Sequence, residues 1–260
     1  MDLSKYKIPL SELQDNKIQI INRKVIEREF IDFRNSNDLI NLESVGDGIY
    51  KNKENSYLIK CTTEFIDVTP KMINWWFSWH LPCSDRYKLW HPRDHVSARL
   101  IEAHKELQSR GLYIGTDSYV EEYIGNKLQK LKISFQEPRH FGLENNYENA
   151  TAVCAFVTDS RKEVRIAKIL HYLSKENNKS SLKSFFWLGE ELNHPNAIIN
   201  MLLRLLSNFH YIKRFFINDK LARDLLTHCY EEMDHLSKFL PGLYSDLGIE
   251  QKSKKLDIPL

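Results

Sequence analysis

Apolar and polar positions along the chain change rhythm four times. Residues 18–33, IQIINRKVIEREFIDF, carry a weak helical spacing inside a mostly polar and charged stretch that runs to residue 47. NSYLIKCTTEFIDV (55–68) is rich in β-branched and aromatic residues and predicts a strand. Thr69-Pro70 then opens a helix in PKMINWWFSWHL, with proline in its first turn. The middle of the chain reads as β. SYVEEYIGNKLQKLKISF (118–135) predicts two strands about a Gly125-Asn126 hairpin, and NATAVCAFVTD (149–159) and LKSFFWLGE (182–190) predict more. Residues 160–178 fit a helix by composition and a strand plus loop by pattern. From His194-Pro195 onward the pattern turns helical, through AIINMLLRLLSNF and KLARDLLTHCYEEMDHLSKFL, and Pro241-Gly242 is expected to stop the last helix. Central strands followed by a long C-terminal helix predict an α+β fold.

The last helix carries a crowd of polar groups, HCYEEMDHL (228–236). Advancing about 100° per residue from His228, the positions Leu225, Cys229, Met233, Leu236, Phe239 and Leu240 fall within one arc from about 20° to about 140°. Glu232 lies inside that arc at about 40°, His228 on its edge, His235 just outside at about −20° and Glu231 at about −60°. A carboxylate inside a buried stripe must be paired or bind a metal. His228 and Glu232, at i and i+4, can reach one ion together. Glu231 and Asp234 read as solvated, and His235 as a surface or core-edge group.

Partners must come from upstream. YKLWHPRDHVSAR (87–99) offers His91, Asp94 and His95. In the hairpin strand Glu122 shares a face with Val120 and Ile124, so an inward aliphatic face buries that carboxylate. E-x-x-H also occurs at Glu137/His140, Glu191/His194 and Glu232/His235, the spacing of di-iron bundles. Pro138 and Pro195 argue against helices at the first two.

Composition narrows the classes. A chain of 260 residues, 42% hydrophobic and 28% charged, can bury one large core. The net charge of +2, with Lys and Arg scattered among acids, gives no case for nucleic acid or an anionic membrane. AIINMLLRLL (197–206) is too short for a span and contains an arginine. MDLSKYKIPLSELQDNK lacks an apolar h-region. Cys61, Cys83, Cys154 and Cys229 form no CxxC pair, which suits a reducing cytoplasm. The clustered aromatics (WWFSW, FFWLG, FHY, RFF) read either as core packing or as the wall of a cavity for a flat apolar ligand.

Five segments taken in order, WWFSWH (75–80), YKLWHPRDH (87–95), VEEYIG (120–125), FFWLG (185–189) and HCYEEMDHLSKFLPGLY (228–244), resemble the 2,4-diacetylphloroglucinol hydrolase and phloretin hydrolase family across residues 70–244. The resemblance implies a Bet v 1-like helix-grip: a curved antiparallel sheet around a long C-terminal helix, with a small N-terminal extension used in dimerisation. It divides the chain into an N-terminal segment 1–50, a catalytic domain 51–250 and a tail 251–260, with a homodimer as the expected assembly. It implies a hydrolase that cuts the C–C bond between an acyl group and a polyhydroxylated aromatic ring, dependent on Zn2+ or another divalent metal. The implied ligands are His91, Glu122, His228 and Glu232. Asp94 and His95 would move protons or orient His91. Tyr123, with Tyr87, His80 and the tryptophans, would grip a small aromatic substrate. Two departures fall on the substrate side: Cys154 or a neighbour stands in a strand where the family has a histidine, and Leu182-Lys183-Ser184-Phe185 lacks its arginine. They keep open an alternative, a non-catalytic helix-grip protein that binds a small apolar ligand and keeps a structural metal.

Overall fold

A computed structural model describes residues 2–143, 149–207, 213 and 216–248; the tail 251–260 lies outside them. Nine strands form one sheet in the order β1-β2-β3-β9-β8-β7-β6-β5-β4. They are β1 (Ile26–Glu27), β2 (Gly48–Lys51), β3 (Tyr57–Ile66), β4 (His95–Leu100), β5 (Asp117–Ile124), β6 (Lys127–Gln136), β7 (Ala150–Asp159), β8 (Val164–Glu176) and β9 (Lys179–Asn193). Helices among the described residues include α1 (Asp15–Asn22), α2 (Ser36–Ile40), α3 (Pro70–Trp79), α4 (Ser84–Trp90), α5 (Glu102–Ser109), α6 (Ala197–Ser207) and α7 (Asp219–Leu247). All pairings are antiparallel except β1 with β2, so the sheet is mixed at one edge. Helix α7 contacts β2 and β3 near one edge and β5 near the other. A single helix can touch both only if the sheet curves round it, which is the helix-grip arrangement.

Both faces of the sheet are covered. Phe186 and Leu188 of β9 point into the core shared with α3 and α7, and Phe185 and Trp187 point to the other side. There they meet Phe33, Leu39, Ile40 and Val45 of the N-terminal segment. Double burial explains why FFWLG is a continuous apolar run rather than an alternating one. Tyr6 and Val25 join the inner core, and Lys17 reaches Asp234 of α7 at 2.6 Å.

One open alternative is decided and one expectation is corrected. Residues 164–176 form β8, so the strand reading of 160–178 holds, the ladder with β7 and β9 outweighing a helix-compatible composition. Pro241 does not stop α7, which runs on to Leu247. Proline costs one backbone hydrogen bond, but Leu243 is fully buried and Tyr244 packs edge-on to Trp75 at 5.3 Å, so tertiary packing carries the helix through. The E-x-x-H sites at 137–140 and 191–194 fall on a 3₁₀ turn and a strand end, so no di-iron bundle is built.

The hairpin tip sets the site. Ile124 pairs with Lys127 across Gly125-Asn126, and Gly125 has φ +60°. A side chain there would strike Asp224 of α7. Glycine thus permits the close approach that brings the end of β5 against the helix.

Candidate metal centre and cavity

Four side chains converge where β4, β5 and α7 meet. His95 lies directly across from Glu122 in the β4–β5 pair, with the register shifting between His95 and Ser97. Opposite residues of an antiparallel pair share a face, and the bulge aims His95 inward. His95 Nε2 is 3.3 Å from His228 Nε2, 3.7 Å from Glu232 Oε2 and 3.8 Å from Glu122 Oε2. His228 Nε2 lies 3.8 Å from Glu232 Oε2. His95, His228 and Glu232 are buried, and Glu122 nearly so.

The outer partner of each imidazole decides which nitrogen is free. His95 Nδ1 faces the carbonyl oxygen of Tyr87 at 3.0 Å, so Nδ1 carries the proton and Nε2 offers its lone pair to the cluster. His228 Nδ1 faces Asp94 Oδ2 at 3.6 Å, which again leaves Nε2 for the cluster. His91 is the reverse. Its Nδ1 accepts the Asp94 backbone N–H at 3.1 Å, so its proton sits on Nε2, directed at Glu231 Oε2 at 3.3 Å. In this orientation His91 is a donor without a free lone pair. The structure therefore brings together three of the four residues implied as ligands, Glu122, His228 and Glu232, and places His95 rather than His91 among them.

Electrostatics fit a cation. Burial pushes the Glu232 carboxyl up, with Glu122 adding and His228 opposing, to about 8. Burial alone would lower His228, but Asp94, Glu232 and Glu122 outweigh it and raise it to about 9. Burial, with His228 and His91 adding, holds His95 well below the usual histidine range, which keeps its lone pair. Two imidazole nitrogens and two carboxylates, crowded together, suit a divalent metal.

Glu122, His228 and Glu232 of the quartet also line a cavity of about 140 Å³. Its walls are mostly apolar, from Val120, Leu131, Val153, Phe186, Leu188 and Leu225 among others. A ladder of near-parallel rings backs it: Trp76 on His80 (5.0 Å, 20°), His80 on Tyr87 (6.1 Å, 18°) and Tyr87 on His95 (3.8 Å, 4°). The Tyr87 hydroxyl donates to Glu122 Oε2, so its proton lies at the border of quartet and cavity. Tyr123 follows Glu122 on the strand and points the other way, into a polar pocket with Arg93, Asp94, Asp224 and Glu231. Asp94 shares that outer pocket.

Strand parity also decides what β7 and β8 present to the cavity. Val153 and Ala155 line the cavity while Cys154 is buried on the opposite face. The strand-borne histidine is His171 of β8, whose Nδ1 lies 2.8 Å from Ser184 Oγ. Burial drives it down to about 3, so it stays neutral. The Ile169-His171-Leu173 alternation marks it once 164–176 is read as a strand. Three further expectations change. Glu231, outside the apolar stripe, is mostly buried and pairs with Arg93, because the His91–His95 turn folds over that face. Asp234 is held by Lys17. His235 is buried, 5.6 Å from the Phe239 ring.

A protein-family model described as the DAPG hydrolase PhiG domain matches residues 31–245. The chain is 29% identical over 198 residues to the 2,4-diacetylphloroglucinol hydrolase of Pseudomonas protegens, covering 71% of this chain and 62% of that protein. It is 27% identical over 194 residues to the phloretin hydrolase of Eubacterium ramulus, covering 73% and 68%. The match thus spans less than two thirds of the Pseudomonas relative's length. Among solved structures, ginseng major latex-like protein 151 from Panax ginseng is 14% identical, covering 66% of this chain and 97% of that one, with a TM-score of 0.36. Human STARD10 is 12% identical, covering 87% and 92%, with a TM-score of 0.35. No described helix is long and apolar enough to cross a membrane.

Proposed function

We propose, from the premise that the chain belongs to the DAPG hydrolase family, that it hydrolyses the C–C bond between an acyl group and a phloroglucinol-type ring, with a divalent metal, zinc for preference, held by His95, Glu122, His228 and Glu232. The observation that carries this reading is the convergence of those four donors beside a mostly apolar cavity. When bound, such a metal supplies Lewis-acid polarisation of the acyl oxygen and lowers the pKa of coordinated water. The chain's own residues do the rest. The apolar walls exclude bulk water and take up the ring and acyl chain. Phe77, His80, Tyr87, Trp90 and Phe186 line the cavity and give an aromatic substrate ring surface to pack on.

In the balanced reaction the acyl carbon gains a hydroxyl and the ring carbon gains a proton, giving a carboxylic acid and the deacylated phenol. Burial, with Glu122 adding, raises the Tyr87 phenol well above its usual range, so it keeps its proton until a strong base forms. A ring leaving as a carbanion equivalent is such a base. Tyr87 then delivers the proton, and Glu122, its hydrogen-bond partner, steers it. Four protein donors usually close a zinc site. Glu122 or Glu232 would therefore have to loosen its hold for a metal in this site to act on substrate.

The test is product analysis with zinc-loaded protein, a monoacyl and a diacyl phloroglucinol, and ¹⁸O-labelled water. The expected result is the deacylated ring together with an acid bearing one ¹⁸O atom. Tight binding of both compounds without cleavage would replace the hydrolase reading with that of a metal-clamped binding protein.

A further inference from the structure

We propose that Asp94 is a positioning carboxylate for His228, locked by Arg93, so that the polar pocket outside the quartet sets its metal affinity without touching substrate. The inference rests on the metal reading above. It begins with His228 Nδ1, a buried nitrogen that makes no hydrogen bond within normal distance among the described residues. The Asp94 carboxylate faces it, with Oδ2 at 3.6 Å. An imidazole that gives Nε2 to a metal must carry its proton on Nδ1, and a buried N–H without an acceptor costs about 1–3 kcal/mol. Asp94 is therefore the group that fixes the His228 tautomer and ring orientation.

The carboxylate cannot readily turn away. Arg93 grips both its oxygens, Nε to Oδ1 at 3.0 Å and Nη2 to Oδ2 at 3.1 Å. The same guanidinium reaches Glu231, which faces His91 Nε2 at 3.3 Å. The Asp94 backbone is pinned as well, its N–H on His91 Nδ1 and its carbonyl accepting the Tyr123 N–H at 2.8 Å. Only the far end of this network touches the quartet. Asp94, Arg93 and Glu231 line the outer pocket and not the apolar cavity, and His228 is the wall between the two.

The same residues could be mistaken for a second cation site, since His91, Asp94 and His228 cluster closely enough to share an ion. Their protons and partners argue otherwise. His91 Nε2 and His228 Nδ1 both carry hydrogen, and Arg93 occupies the Asp94 oxygens. The turn Trp90–His95 thus supplies one inner ligand, His95, and the outer support of another, His228. Outer carboxylates of this kind typically change metal affinity 10–100-fold when removed.

The test measures zinc affinity by competition with a chromophoric chelator, the visible spectrum of the cobalt-loaded protein, and KM and kcat at saturating metal. Asp94→Asn should weaken zinc by about 10–100-fold and shift the cobalt spectrum, with KM within about twofold of the unmodified protein. Asp94→Glu should recover part of the affinity. If Asp94→Asn does not fold, Arg93→Met, which frees the carboxylate but keeps it, should weaken zinc by a smaller factor. Unchanged zinc affinity and an unchanged cobalt spectrum in whichever variant folds overturn the proposal and leave the metal centre standing. An unmodified protein that binds neither zinc nor cobalt overturns both readings together.

Discussion

Replacing His95 with alanine is expected to abolish stoichiometric metal binding and to lower turnover by roughly a hundredfold or more, whereas His91→Ala keeps the metal. The two histidines lie four residues apart in one turn, and both rings are buried. What separates them is the outer hydrogen bond. The Tyr87 carbonyl takes the Nδ1 proton of His95 and frees Nε2 beside Glu122, His228 and Glu232. The Asp94 N–H occupies His91 Nδ1 and turns the His91 donor outward to Glu231. His91→Ala removes that support, so its affinity should fall by no more than about tenfold, in the range of an outer-shell change. Elemental analysis after gel filtration reads the difference directly. Loss of metal from His91→Ala with retention in His95→Ala would reverse the ligand assignment.

The second large effect is on pH. Without metal, Glu232 titrates near 8 and His228 near 9, against ordinary values of 4.5 and 6.5. Both hold protons at neutral pH, and ligation must expel them. Zinc affinity should therefore climb by up to ~10-fold per pH unit for each proton released, up to about pH 9. Calorimetry at neutral pH in buffers of different ionisation enthalpy should show release of at least one proton, and no release would contradict the site. Stability of the metal-free protein follows the same groups. Each folded pKa lies above its unfolded value, so the contribution is complete below the unfolded pKa and is lost as pH rises through about 8 and 9. The metal-free protein should thus melt several degrees lower at pH 9 than at pH 6, by order of magnitude, and zinc should restore it most at pH 9.

How much of this was legible in the sequence differs from residue to residue. Glu232 and Glu122 could be read because helices and strands have periods. A carboxylate inside the apolar stripe of α7, and another on the aliphatic face of β5, were anomalies that called for a partner. His91 and His95 could not be separated, since a turn has no period and the deciding contacts, the Tyr87 carbonyl and the Asp94 N–H, exist only in the folded chain. Glu231 sat on the face of α7 that a helical wheel leaves to solvent, and only the turn folding over that face buries it. Tyr123 is expected to grip the substrate, yet strand parity sets it on the face opposite Glu122, and it lines the outer polar pocket. Pro241 is a local stop signal that the burial of Leu243 outweighs. The nine-strand order was not legible either. It needed the pairing of β3 with β9, which brings residue 57 beside residue 188.

Stepwise addition of zinc to metal-free protein, with turnover of an acylphloroglucinol followed at each step, tests the quartet as the working centre. Activity should rise in proportion to metal and stop rising at one zinc per chain. Full turnover in the metal-free protein, or a metal-saturated protein that leaves the acyl–ring bond intact, would contradict it.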